Sequence, residues 1–203
     1  MPKITAVFSD VGGVLLTNGW DRGSRRKACE EFDLDWEEFE DRHELVAAAF
    51  DQGELTLDQY LDRTVFHRSR NRSRQDFRAF MYAQSEPFPE SLAILSRLAQ
   101  SQRYFLATIN NESLDLNLYR INRFGLRKYF SAFFSSCFLH AKKPAEAIYR
   151  RALEITQRPP EECVFVDDRA LNLECARLLG MHTVHFQSAR QLESELASLG
   201  AGT

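Results

Sequence analysis

The spacing of apolar and polar residues changes twice along the chain. Ile4 to Phe8 is a short, continuous apolar run followed by Ser9, Asp10 and the pair Gly12-Gly13. It is too short for a helix and too continuous for a solvent-washed edge, so it predicts a buried strand. Beyond Gly19 the apolar residues recur every three or four positions. Trp36, Phe39, His43, Val46 and Phe50 fall on one face of an amphipathic helix with Asp35 as its N-cap. A second helix is expected from Thr56, turning Leu57, Tyr60, Leu61 and Val65 inward, and a third from Ser73, with Phe77, Phe80 and Met81 as its stripe. Trp20 to Gln84 therefore reads as a small all-helical unit, too small to be comfortable alone, that packs against the rest.

From Pro87 the pattern alternates. A helix from Pro89 to about Ala99 leads to a strand near Tyr104 to Thr108, a helical stretch from Glu112 to about Asn122 and a strand near Ala132 to Ser135. A helix opening at Pro144 follows, then a strand Val164 to Val166 ending in Asp167-Asp168, a helix Leu171 to Leu179 stopped by Gly180, and a strand near Thr183 to Phe186. Such alternation predicts an α/β fold, a parallel sheet with helices on both faces, whose ligands sit at the carboxyl ends of the central strands.

Composition narrows the class. With 203 residues, 27% charged, 44% hydrophobic and a net charge of −3, the chain reads as a soluble globular protein with no pull toward nucleic acid. It has no bilayer-length apolar run and no secretion-signal pattern, so a cytoplasmic location is expected. Cys29, Cys137, Cys163 and Cys175 form no Cys-x-x-Cys pair and read as reduced core residues. The basic run Arg68 to Arg78 and the acidic stretch Glu30 to Glu44 are expected to pair partly with one another.

Four groups fall at or just beyond predicted strand ends: Asp10, Thr108, Lys143 and Asp167-Asp168. Together they offer a carboxylate able to attack, a hydroxyl and a cation able to hold an oxyanion, and a second acidic site able to hold a hard cation. Phosphoryl transfer asks for that combination.

In order and spacing, Asp10-Val11-Gly12-Gly13-Val14, Phe105-Leu106-Ala107-Thr108, Lys143-Pro144 and Val164-Phe165-Val166-Asp167-Asp168 with Asn172 resemble the haloacid dehalogenase-like hydrolase superfamily. The likeness is to its helical-cap phosphatases, including bacterial phosphatases of sugar 1-phosphates. The resemblance implies a Rossmann-like core from residues 1–19 and 85–203 with a helical cap at 20–84. It implies that Asp10 is the nucleophile, that Thr108 and Lys143 bind the phosphoryl oxygens, and that Mg2+ sits between Asp10, the Gly12 carbonyl and Asp168. Asp167 and Asn172 would hold Asp168 or a metal-bound water, and the implied substrate is a small-molecule phosphate ester.

Two departures from the family pattern stand out. Gly12 occupies the place where most of these phosphatases carry an aspartate acting as general acid and base, a group worth about 100-fold to 10,000-fold. That favours a good leaving group such as an anomeric oxygen; His43 is a candidate replacement, although its apolar stripe reads first as core. Ile109 also separates Thr108 from Asn110 and Asn111, one of which is expected to orient the loop, with Asn110 taken as the phosphate-side residue. The alternatives are a catalytically weak binding or regulatory protein and a metal-independent 2-haloacid dehalogenase, which the acids at Asp167-Asp168 disfavour.

Overall fold

The computed structural model describes residues 3–202. Pro2, on the flank of the first predicted strand, and the outermost ends of the segments 1–19 and 85–203 lie outside them. Five strands form one parallel sheet: β1 (Ala6–Ser9), β2 (Phe105–Asn110), β3 (Ala132–Ser135), β4 (Cys163–Asp167) and β5 (His182–His185), in the order β3-β2-β1-β4-β5. The order reverses at β1, which pairs Ser9 with Thr108 on one side and with Val166 on the other. A residue leaving the end of β1 therefore enters the crevice where sheets of this kind bind ligands.

Alternation along the strands splits the core into two layers. Val7, Leu106, Val164 and Val184 pack with Ile94, Leu95 and Leu98 of α5 (Pro89–Ser101), Ile121 of α6 (Leu114–Arg123) and Leu192 and Leu196 of α10 (Ala189–Ser198). On the other face, Phe8, Ala107, Ile109 and Phe165 pack with Ile148, Tyr149 and Ala152 of α8 (Glu146–Thr156) and with Leu173 and Ala176 of α9 (Ala170–Leu178). The short α7 (Ser136–Leu139) follows β3 directly.

Four helices intervene between β1 and α5: α1 (Arg22–Glu31), α2 (Trp36–Asp51), α3 (Leu57–Thr64) and α4 (Arg74–Ala83). Their starts are fixed by side-chain caps. Asp35 accepts from the Glu38 amide at 2.7 Å, Thr56 and Gln59 form a reciprocal capping box, and Ser73 accepts from the Asp76 amide at 3.1 Å. They share a separate core of Trp20, Phe39, Phe50, Tyr60, Leu61, Phe77 and Met81, closed from below by Leu116 of α6. Gly53 ends α2 at φ +73°, and a Cβ there would meet the Cys137 carbonyl at 2.6 Å, so only glycine lets this unit sit on α7.

The structure adds three helices to the expected set, the short α7 and two longer ones. α1 carries only Ala28 and Cys29 as buried apolar residues, so it shows no stripe, and α10 follows β5 beyond the last predicted element. β2 also runs two residues past Thr108, because Ile109 is fully buried in the core. In the acidic and basic stretches, Arg68 pairs with Glu38 and Arg72 with Glu31, while Arg74 and Arg78 turn to Asp62 and Asp58.

Candidate active site

Asp10 is held at the mouth of the sheet by its neighbours on both strands. Its amide donates to the Val166 carbonyl at 2.8 Å, and its Oδ1 accepts from the Val11 amide at 2.7 Å. Lys143, delivered by the loop ahead of α8, places Nζ 2.8 Å from Asp10 Oδ2 and 2.6 Å from Asp167 Oδ2, with its side chain 1% exposed. Asn172, on the first turns of α9, donates to both Asp167 oxygens at 3.0 and 3.1 Å, and the Arg169 amide donates to Asp167 Oδ1 at 2.8 Å. Asp167 is thereby saturated and serves to fix Lys143.

Asp168 has the opposite status. Its Oδ1 is buried without a hydrogen-bond partner, and carboxylate oxygens of Asp10, Asp167 and Asp168 lie within 4.8 Å of one another. Three carboxylates thus face one ammonium group. Burial of Asp10 pushes its carboxyl up to about 6; Lys143 pulls it down, and Asp167 pushes it up again. Excess negative charge, an orphaned oxygen and an all-oxygen donor set suit a hard divalent cation, so the residues present fit Mg2+, with Asp10 and Asp168 as carboxylate ligands and Gly12 offering its carbonyl.

The glycine pair is shaped to this arrangement. A Cβ on Gly13, whose φ is +75°, would stand 2.3 Å from Asp168 Oδ2, and one on Gly12 would stand 2.7 Å from Asn18 Oδ1 and 3.7 Å from Arg120 Nη1. The position of the missing second aspartate is therefore already occupied. Arg120 is buried, donates to Glu112 Oε2 at 2.7 Å and also bonds the Thr17 carbonyl. Burial raises the Glu112 carboxyl from its ordinary range, against the pull of Arg120.

A cavity of about 400 Å³ opens above Asp10. Its floor includes Gly12, Asn111, Lys143 and Asn172, and the helical unit lines it with Trp20, His43 and Phe50 together with the charged Asp21, Arg22, Arg25 and Asp51. Among the expected site residues, Asp10, Gly12, Lys143, Asp167, Asp168 and Asn172 come together. Thr108 and Asn110 do not reach the cavity wall. Thr108 lies two residues inside β2, fully buried, and Asn110 is tied up with Asn117 at 3.2 Å and Ser135 at 2.8 Å. The continuation of β2 through Ile109 moves the strand end to Asn110, and the next residue is Asn111, whose side-chain amide brackets the Lys143 backbone: Oδ1 accepts from its N–H at 2.8 Å and Nδ2 donates to its C=O at 2.9 Å. The reading of His43 as core is likewise corrected, because the residue is only half-buried and borders the cavity.

Asn111 is thus the one of the two expected asparagines that orients the loop, whereas Asn18, Glu112 and Arg120 had no place in the sequence reading. Glu112 and Arg120 carry no local signal, since what brings them to the site is the reach of Arg120 to the Thr17 carbonyl, far away in sequence. Nothing in Arg68 to Arg78 lines the cavity.

Residues 4–180 match the model of the haloacid dehalogenase-like hydrolases. Flavin mononucleotide hydrolase 1 of Arabidopsis thaliana is 35% identical over 75 residues, a match that covers 37% of this chain and 31% of that relative's length. An enzyme of the HAD family from Bacteroides thetaiotaomicron superposes with a TM-score of 0.79 at 21% identity, covering 92% of this chain and 95% of the other. That enzyme is also known as a complex with magnesium and inorganic phosphate, at a TM-score of 0.75 and 19% identity, covering 91% of this chain and 94% of the other. A predicted HAD-like family hydrolase from Porphyromonas gingivalis covers all of both chains at a TM-score of 0.78 and 20% identity. The central strand β1, its carboxylate at the reversal point and the matched residues 4–180 agree on one assignment: the chain belongs to the haloacid dehalogenase-like hydrolases.

Proposed function

We propose that this hydrolase is a magnesium-dependent phosphatase that removes a phosphoryl group from a small metabolite, a sugar phosphate in preference, through a covalent intermediate on Asp10. The observation that carries the reading is the Asp10–Lys143–Asp167 chain beside an unpartnered Asp168 oxygen. A bound Mg2+ would neutralise the clustered carboxylates and draw phosphoryl charge away from the reacting phosphorus. Lys143 is held by Asp167 and keeps its ammonium 2.8 Å from Asp10 Oδ2, where it would offset charge on a phosphoryl oxygen brought to Asp10.

In the first step a carboxylate oxygen of Asp10 bonds to phosphorus while the ester P–O bond breaks, and the leaving oxygen takes a proton from solvent. In the second step water bonds to phosphorus and gives a proton back to solvent, and the Asp10–phosphorus bond breaks to release phosphate. With Asn18 and Arg120 filling the place beside Gly12, no side chain of β1's loop is positioned to protonate the leaving oxygen, which argues for esters that leave readily. We assign residues 1–19 and 85–203 to the catalytic core and 20–84 to a cap that supplies the cavity's upper wall; the separate aromatic core of the helical unit supports this division.

The test is phosphate release from sugar 1-phosphates and 6-phosphates, flavin mononucleotide and phenyl phosphate, with Mg2+ and with chelator, by the protein and by Asp10→Asn. Mg2+-dependent release abolished by the substitution is the expected result. No release from any ester by the folded, metal-loaded protein overturns the reading.

A further inference from the structure

The upper wall of the cavity contains one polar side chain whose orientation is dictated by its neighbours. Trp20 Nε1–H, which can only donate, donates to the Tyr60 hydroxyl at 2.9 Å, and that hydroxyl lies 2.9 Å from His43 Nδ1. Tyr60 is fully buried and makes no other hydroxyl contact among the described residues. Its own proton is satisfied only if it goes to His43, so Nδ1 accepts and the neutral ring carries its hydrogen on Nε2. Nε2 has no protein partner among the described residues, and His43 borders the cavity. The ring is also held in place by Phe39, parallel to it within 7°, and by the edge of Tyr60 at 86°.

We propose that His43 is a specificity residue: the Trp20–Tyr60 relay fixes its ring so that Nε2–H hydrogen-bonds an oxygen of the leaving group, selecting phosphate esters whose leaving group bears hydroxyls. The inference rests on the phosphatase reading and adds to it the chemistry of the part cleaved away. Trp20 and Phe50 beside His43 supply apolar faces, and Arg22, Arg25 and Asp51 of the same unit line the cavity beyond them, so His43 sets a neutral donor against aromatic surface, which matches the mixed polar and apolar faces of a sugar ring.

The electrostatics agree with a neutral donor. Burial, reinforced by Arg25 and Lys142 and opposed by Glu40, pushes the His43 imidazole down to about 4. Arg25 is paired with Glu40 at 2.7 Å and Lys142 with Asp51 at 2.5 Å, so neither cation is free to take over the donor's place. At neutral pH the ring donates without carrying charge. It therefore orients the leaving group rather than delivering a proton to it.

Two measurements test this. Long-range proton–nitrogen NMR of the free protein, with His43→Phe for assignment, reads the tautomer: Nε2–H is expected, and Nδ1–H overturns the relay. Steady-state kinetics then compare the fastest hydroxyl-bearing ester of the panel with phenyl phosphate, whose leaving group offers no acceptor beyond the ester oxygen. His43→Phe is expected to raise KM for the first by roughly tenfold, what one ordinary hydrogen bond supplies, and to change it less than twofold for the second. His43→Gln, which keeps an N–H of similar reach, is expected to recover most of the loss, and Tyr60→Phe to weaken the first ester only. Equal effects on both esters, or phenyl phosphate turnover with no hydroxyl-bearing ester cleaved, overturn the inference and leave the phosphatase reading standing. No release from any ester, by contrast, overturns the phosphatase reading itself.

Discussion

Gly13→Ala isolates the proposed role of Asp168, because the structure separates its two costs. At φ +75° an alanine loses roughly 1–2 kcal/mol against glycine. Its Cβ would also stand 2.3 Å from Asp168 Oδ2, so the carboxylate must retreat by about 1 Å to reach an ordinary contact of 3.4 Å. Magnesium holds its ligands at about 2.0–2.1 Å in near-octahedral geometry and does not follow such a shift. Disturbing groups that merely orient metal ligands costs about 10-fold to 100-fold in affinity, so moving a ligand itself should cost about 100-fold or more. Gly200 is the control: its φ is also +75°, but a Cβ there meets nothing within 4 Å. Both variants should lose roughly 2–8 °C of Tm in chelator. Only Gly13→Ala should lose Mg2+ affinity by titration calorimetry. Wild-type affinity in Gly13→Ala would refute Asp168 as a ligand.

Three further outcomes are expected. Gly12→Asp should not raise phosphate release, because its side chain meets Asn18 and would be drawn to Arg120; a gain of about 100-fold, the worth of a positioned acid, would contradict the crowded position. Arg120→Leu leaves Glu112 buried without its partner and should cost about 3–5 kcal/mol in urea unfolding, whereas Glu112→Gln, which removes the charge that needs pairing, should cost clearly less. For His43, whose folded pKa of about 4 lies below the ordinary 6.5, protons bind the unfolded chain first. Stability is therefore full above pH 6.5 and falls as pH drops toward 4, by about 1 kcal/mol at pH 5.5 relative to pH 7.5. Urea unfolding of His43→Phe should lack that part of the pH dependence.

Much of the architecture was legible because it rests on local signals. Asp35, Thr56 and Ser73 announce their helices through short-range hydrogen bonds that the structure reproduces, and Ala132 to Ser135 is found as a strand at the expected bounds. Helix α1 was not legible from periodicity, since Arg22–Glu31 is nearly all polar; its one clear mark is Asp21, which accepts from the Ser24 amide at 2.7 Å. At the site, Asp10 and Asp168 stand just past the ends of β1 and β4, where strand order leads, and Lys143 joins them from the loop ahead of α8. Positions set by contact left less trace in the sequence. Thr108 was placed at a strand end that Ile109 carries further, Asn111 was named only as one of two candidates for orienting the loop, and Asn18 and Glu112–Arg120 meet the site only across gaps in sequence. His43 shows the same boundary, because its helical face is readable from spacing while the cavity sharing that face is not.

The account turns on Asp10 taking the phosphoryl group. The most direct measurement is acid quenching during turnover of radiolabelled phenyl phosphate with Mg2+, followed by peptide mapping of the protein. Acid-stable, hydroxylamine-labile label on the peptide that contains Asp10, absent in Asp10→Asn and in chelator, is the predicted result. Phosphate release that proceeds at the wild-type rate in Asp10→Asn, with no label on that peptide in the wild type, would contradict it.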